Sequence, residues 1–391
     1  PWSQAVAGFV HSLSRPGKAT VLGRRWKVQA PQAALANGTM AHAFELDNVR
    51  QPGAGVHPGA TAFLPALAIA EEKRADGKAL LTAFVAGCEV MSRIGVAAGN
   101  SLEKRGFHAP GLTGTFGGIA GSYSGGLLEF SRCQEGAMVK RLHLGKAAEG
   151  GVTAALLAQR GFAGPESVLE GKFGFLKAFS DAPLFDALTD RLGRNFETMN
   201  TCIKRFACHI NAHAPIEALQ KLKREHRFAP TDIEQIVVAG IEKLVTHHAI
   251  YQPKDLMMAQ YSIPFCVALA LCDDPREPKA FDERKIRDRK MISLSRLVRL
   301  QVDPEIEKKG WDRAARVTVR LKDGSRLSAL VIHFKGTPKN PLSPAELEDK
   351  VARLTRGLIS ARGRARLFEA VDRLERLDRA SSLTSLLRGG A

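Results

Sequence analysis

The chain has 391 residues, 45% of them hydrophobic and 25% charged, average globular values that exclude a disordered or collagen-like chain. That length implies about two or three domains, with a core large enough to need no disulfide or metal staple. Its formal net charge of +17 points to anionic partners without choosing among nucleic acid, acidic lipid and a small polycarboxylate.

In chain order, the first helical signal runs through Leu64, Leu67 and Ala68 to the charged end Glu71-Glu72-Lys73-Arg74. Gly77 separates it from a second helix, on which Leu80, Leu81, Phe84, Cys88, Met91 and Gly95 recur at three- and four-residue steps. Residues 109–128 carry no charge, but their seven glycines deny them the apolar density of a membrane span. They read as small-residue packing or as the glycine-rich wall of a site. An alanine-rich helix follows Leu144 and ends at Gly161, and Pro165 is expected to open a short helix over 165–170. Residues 1–199 are therefore expected to form the first part of a helical domain.

The texture changes near residue 200. Residues 233–241 are rich in β-branched side chains, and 297–302 alternate apolar with polar. Residues 316–321 and 326–334 flank Lys322-Asp323-Gly324-Ser325, a strong hairpin signal because glycine accepts positive φ. With helical stretches at 214–224 and 261–271 between the strands, 200–337 reads as an α+β domain. A turn-forming Thr337-Pro338-Lys339-Asn340-Pro341 then leads to Ser343-Pro344-Ala345-Glu346, a capping-box helix start. The remainder, 338–391, is helical and Arg-rich, so the expected fold is mainly α with an α+β insert. The six cysteines show no zinc or iron–sulfur spacing, so no metal site is expected, and they are too sparse for a disulfide scaffold. A reduced, cytoplasmic setting follows. No signal peptide is visible, although the chain opens at Pro1-Trp2 without an initiator Met.

Four segments collect polar residues without an evident structural need. They are His42 to Asn48 with Glu45 and Asp47, followed by His57-Pro58; Arg105-Gly106-Phe107-His108; Lys140-Arg141-Leu142-His143; and Lys204-Arg205 with His209 and His213. His57 stands before a proline at a predicted helix start, where the dipole favours an anion and lowers the imidazole pKa. Lys and Arg neutralise carboxylates while His or Glu moves a proton, so the set suits a small polycarboxylate. There is no Gly-x-Ser-x-Gly, P-loop, His-Glu-x-x-His or dinucleotide fingerprint. Nucleic-acid binding is the rival class for so basic a chain, but aromatics are only 6% and the Arg-rich tail alternates with Leu and acids.

Ala36-Asn37-Gly38, Ala41-His42, Glu45-Leu46-Asp47 and His57-Pro58-Gly59-Ala60 are followed by Lys140-Arg141-Leu142-His143, Gly145, Lys204-Arg205-Phe206, Ser262-Ile263-Pro264 and Gly336-Thr337-Pro338. This ordered set resembles the MmgE/PrpD family of 2-methylcitrate dehydratases, cis-aconitate decarboxylases and an iminodisuccinate epimerase. The resemblance implies a helical domain made from both chain ends, an α+β lid, a site between them, a homodimer, and no metal or organic cofactor. It places catalytic groups at Glu45, His57, His108, Lys140 and Lys204. Arg50, Arg141, His143, Arg205 and His209 are expected to bind the substrate. Glu45 stands for the usual Asp, and Asn48-Val49-Arg50 replaces the common Asp-Thr-His. Relative to the family pattern, a helix before Pro1 and a helix-length piece between Gly118 and Ile119 are absent. The leading expectation is a 2-methylcitrate dehydratase-type hydro-lyase, with cis-aconitate-type decarboxylation or epimerisation as the alternative within the family. A non-catalytic basic protein that binds anions or nucleic acid is the alternative from another class. No membrane partner is expected.

Overall fold

The computed structural model describes residues 2–13, 15–99, 101–115, 125–131 and 138–387. The proposed break between Gly118 and Ile119 lies outside these residues, as does Cys133. Among the described residues Cys88, Cys202, Cys208, Cys266 and Cys272 are free thiols.

The helical part is built on small residues. The Ala30–Ala41 helix is buried on nearly every side, lying between the Trp2–Leu13 and Val139–Gln159 helices. It can do so because Gly38 meets the Gly145 backbone at the crossing. A Cβ on Gly145 would collide with Thr39 Oγ1 and the Leu35 carbonyl. The close crossing brings the start of the Val139–Gln159 helix beside the end of Ala30–Ala41. Lys140, Arg141 and His143 were expected just ahead of a helix; they lie within its first two turns instead.

The two helices read on either side of Gly77 are Leu64–Lys73 and Gly77–Ala98. The break is made by Arg74 in the left-handed region (φ 57) and by Asp76, which caps the second helix by accepting from Ala79 N at 2.7 Å. Gly77 has a different task. A Cβ there would strike the Leu374 carbonyl, and its N–H donates to Leu377 O at 2.8 Å, so the absent side chain lets the C-terminal segment dock. Leu374, Ala380 and Leu383 pack with Leu64, Leu67 and Leu80 in one apolar cluster. The buried Glu71 carboxylate joins the same ends, accepting from Thr20 Oγ1 at 2.7 Å and Thr384 Oγ1 at 2.8 Å. Residues 165–170 are turns, not the expected helix; Gly171 and Gly174 fold the chain back so that Phe175 N donates to Val168 O, and the helix forms at Phe175–Phe179.

Eight strands are present among the described residues. β1 (Ala19–Thr20) and β2 (Lys27–Val28) pair antiparallel, as do β3 (Asn48–Arg50) and β4 (Thr201–Ile203). The strands β5 (Ile233–Gly240), β6 (Val298–Val302), β7 (Ala315–Leu321) and β8 (Arg326–Val331) form one sheet in the order β6-β5-β7-β8. β5 and β6 run parallel, and the β7–β8 hairpin turns at Gly324, φ 90. Ala315, Val317 and Val319 alternate inward, against the His213–His226 helix. The helical stretch expected over 261–271 is divided by Ser262, whose hydroxyl caps the Ile263–Cys272 helix by accepting from Phe265 N at 3.0 Å. The Pro344–Leu354 helix starts at the expected Ser343/Glu346 capping box. The result is mainly helical with a small α/β part.

One short element was not expected and positions the site. β3 pairs with β4 in the register Asn48↔Ile203, Val49↔Cys202, Arg50↔Thr201. Leu46 and Val49 are thereby drawn into the same core as Cys202, Phe206 and the sheet residues. The acidic segment and Lys204 now leave neighbouring ends of one ladder.

Candidate active site

The Ala30–Ala41 helix ends at His42, and the chain then turns through Glu45 in the left-handed region, φ 55. A non-glycine residue there is uncommon and is held by its surroundings. Leu46 and Val49 anchor the backbone in the core. His42, Glu45 and Asp47 are left in a polar cluster with His57, Lys140 and Lys204; all but Asp47 are at most 7% exposed, and the Asp47 side chain is 6% exposed.

Glu45 takes both lysines. Lys140 Nζ donates to its Oε1, and Lys204 Nζ donates to its Oε2 at 2.8 Å. Lys204 also lies 3.8 Å from Asp47 Oδ1. Asp47 Oδ2 accepts from His57 Nδ1 at 2.7 Å and is 3.0 Å from His42 Nδ1, while His42 Nε2 is 3.1 Å from Glu45 Oε1. Burial alone would raise both carboxyl pKa values; Lys140, Lys204 and His42 hold Glu45, and His42, His57 and Lys204 hold Asp47, well below their ordinary range. Lys204 is pushed up, since its two carboxylates outweigh burial; in Lys140 burial wins and the shift is downward. A cation in the first turn of a helix opposes the dipole, and Glu45 offsets this for Lys140.

Burial lowers His57 to about 4 despite Asp47, so the imidazole is neutral near pH 7. An ionised Asp47 can only accept, which places the His57 proton on Nδ1 and leaves Nε2 free to exchange one. His108 and His143 form a second pair, Nδ1 to Nδ1 at 3.1 Å. Both are lowered, first by burial and then by the Lys140 charge. The arrangement thus supplies neutral histidines for proton transfer and ammoniums for carboxylates.

Of the other residues expected to bind substrate, Arg141 donates to Ala43 O at 2.8 Å and stacks 3.9 Å from the Trp2 ring. His209 stacks between His248 and Tyr261, at 4.4 and 4.6 Å. The Tyr261 ring in turn receives Lys140 Nζ at 4.7 Å. Arg50 and Arg205 are not brought to the cluster. Arg50 points to Glu197, with Nε donating to Oε2 at 2.8 Å, and to the Pro52 carbonyl. Arg205 lies 3.7 Å from Glu346 on the Pro344–Leu354 helix. Each is paired instead with a carboxylate outside the cluster, Glu197 and Glu346 respectively.

Sequence reasoning assigned no role to His42 or Asp47, although both stand inside the acidic segment it singled out. It also passed over Tyr261, Gln260 and Lys350. Gln260 Nε2 ties the Phe44 and Ala207 carbonyls together at 3.1 and 2.9 Å. Their signal is absent from local pattern, because each acts on residues distant in the chain. One ligand atom from each of His42, Asp47 and His57 lies within 4.8 Å of the others, and these are the described residues best placed to hold a metal ion. Both imidazoles already share one Asp47 oxygen, and Lys204 supplies positive charge at the other. A cleft of about 600 Å³ opens beside the cluster, lined by Phe44, Asp47, Asn48, Ile203, Lys350 and Leu354 among others. It touches the back of the site and leaves Lys140 and His57 enclosed.

Comparison with known proteins supplies the relationship. The MmgE/PrpD N-terminal domain model matches residues 1–121 and 118–187, and the MmgE/PrpD C-terminal domain model matches 206–376. The two N-terminal stretches meet at 118–121, where the sequence pattern placed the internal break. A cis-aconitate decarboxylase-like protein of Aspergillus oryzae is 29% identical over all of this chain and 89% of its own length. The cis-aconitate decarboxylase of Homo sapiens is 27% identical over 91% of this chain and 79% of its own. That of Aspergillus terreus is 28% identical, over 99% and 86%.

Proposed function

The chain belongs to the MmgE/PrpD family, and from that premise we propose that it is a cofactor-independent lyase acting on a citrate-like tricarboxylate, with decarboxylation of cis-aconitate as its reaction. The observation that carries this reading is the buried cluster itself. Glu45 and Asp47 are faced by Lys140 and Lys204, with Arg141 in the field of Glu45 and Lys350 in that of Asp47. Four cations against two carboxylates leave positive charge for a trianion, beside histidines that burial keeps neutral. The names of the relatives favour decarboxylation over the 2-methylcitrate dehydration that the sequence pattern put first.

In this reaction the C–C bond to the carboxylate on the saturated carbon breaks. Its electron pair becomes the new double bond, and the old π pair moves to the carbon α to a second carboxylate. One CO2 leaves and one proton is taken up at that carbon. Ammonium groups aimed at the second carboxylate stabilise the charge that develops on it. Lys140 and Lys204 fill this role by exchanging Glu45 oxygens for substrate oxygens. His57 is the proton carrier, oriented by Asp47 through Nδ1. A bound trianion raises its pKa and so loads Nε2 with the proton that the carbanion-like carbon needs.

The test is proton NMR of the protein incubated separately with cis-aconitate, 2-methylcitrate and citrate. The expected result is loss of the cis-aconitate vinyl signal with two new terminal-alkene protons and released CO2. Dehydration of 2-methylcitrate with cis-aconitate untouched would replace the decarboxylase assignment by the hydro-lyase one. Turnover of none of the three would overturn the lyase reading.

A further inference from the structure

The β3–β4 ladder stops at Asn48↔Ile203. One step further, the chain reaches the residues that carry the chemistry: Asp47 on one side and Lys204 on the other. No ladder pair joins them. The gap is closed from a distant part of the sequence. Lys350, on the Pro344–Leu354 helix, donates from Nζ to the Leu46 carbonyl at 2.7 Å and to the Lys204 carbonyl at 2.7 Å.

Both acceptors matter. Leu46 lies between Glu45 and Asp47, so its carbonyl fixes the backbone from which both carboxylates project. The Lys204 carbonyl belongs to the lysine that bonds Glu45. A single ammonium therefore sets the spacing between the two halves of the ion cluster without touching Glu45 or His57. The groups that face it in charge terms are Asp47, which favours its protonated form, and Lys204 and burial, which oppose it; burial dominates and lowers it to about 8. Even a neutral amine keeps two N–H donors, so the clamp survives that titration.

We propose that Lys350 is a positioning residue for the reaction, extending the β3–β4 ladder by one side-chain link so that Glu45, Asp47 and Lys204 meet the substrate in register. This rests on the lyase reading above. It makes the Pro344–Leu354 helix part of the catalytic unit, which a lone lysine in a charged amphipathic helix does not advertise. Misplacement of such groups by about 1 Å can cost on the order of a hundredfold in rate.

The experiment compares the wild-type protein with Lys350→Ala and Lys350→Met, using cis-aconitate turnover, thermal melting and added ethylammonium. Lys350 lines the open cleft of about 600 Å³, so a small alkylammonium can reach the vacated position. The expected result is a folded Lys350→Ala with kcat reduced about 10- to 100-fold, KM within about threefold, and saturable recovery of kcat with ethylammonium. Tetramethylammonium, which has no N–H, should give no recovery. Wild-type kcat in the variants would overturn the proposal, as would a loss that ethylammonium does not reverse. Failure of both variants to fold would also overturn it, because the lysine would then serve the fold alone. A wild-type protein inert towards every acid tested would remove the lyase reading instead. The clamp is then judged by whether Lys350→Ala exposes Lys204, 2% exposed in the wild type, to acetylation by acetic anhydride; continued protection would overturn it.

Discussion

Two clusters in this protein use the same chemistry to different ends. At the centre, Glu45 and Asp47 meet Lys140 and Lys204 with every side chain 2–6% exposed. On the surface, Arg353 meets Asp349 at 2.8 Å, Asp274 at 3.2 Å and also Glu277, with Arg276 and Arg356 completing the network, at exposures of 17–66%. Both sets balance carboxylates against cations within hydrogen-bond distance. Burial separates them. In water the surface pairs are screened and worth little each, whereas removing one partner from the buried set strands a charge in a poor solvent. Arg353 and Arg356, at the start of the Arg-rich tail, are thus paired on the surface, and the interior holds the groups able to act on an anion.

The difference can be broken most forcefully at Glu45. Glu45→Gln leaves two buried lysines with Asp47 alone and should cost about 3–5 kcal/mol of stability, read from urea unfolding. A loss below about 1 kcal/mol would mean that the buried set is as loosely coupled as the surface one. His57 comes next. His57→Asn keeps a donor for Asp47 but removes the proton carrier, so kcat should fall about 10²–10⁴-fold with the melting temperature nearly unchanged. Full activity in that variant would sink the assignment.

Acid should act on the interior before the surface. His57, lowered to about 4, and His248, lowered to about 3, are joined by His108, His209 and His213, all pushed below their ordinary values chiefly by burial. Between pH 6.5 and about 4 the unfolded chain therefore binds protons that the folded chain does not. Stability rises with pH across that window and is lost on acidification through it. Glu45 and Asp47, held well below their ordinary values, stay ionised there. A melting temperature flat from pH 7 to 4.5 would contradict the neutral buried histidines. The smallest effect is expected at Arg353: Arg353→Ala should cost no more than about 1 kcal/mol, diminish further in high salt, and leave turnover unchanged.

Much of this was legible in the sequence where the signal is local. The β7–β8 hairpin is written in alternation and in Gly324, and the Pro344–Leu354 helix in its capping box. His57, Lys140, Lys204 and Glu45 were found as polar residues in segments with no evident need of them, and the family pattern fixed which to choose. What escaped depends on pairing across the chain. β3 and β4 are three residues each, their paired positions about 150 residues apart, and carry no periodicity worth reading. Without them nothing places Lys204 beside Asp47, and nothing shows that Lys350 finishes their ladder. Arg50 and Arg205, expected beside the others, lie outside the cluster. Their charge suggested a carboxylate ligand, but the carboxylates they meet, Glu197 and Glu346, belong to the protein. Positive charge in a sequence announces an anion without saying whose.

In the proposed reaction the enclosed cluster delivers one proton from His57 to a carbanion-like carbon as CO2 leaves. Running the reaction in D2O with cis-aconitate and reading the product by NMR tests this directly. The expected result is a single deuterium in the saturated CH2 of the product, none in the terminal alkene, and loss of this product in His57→Asn. Product carrying deuterium at the alkene, or the same labelled product at the same rate from His57→Asn, would contradict it.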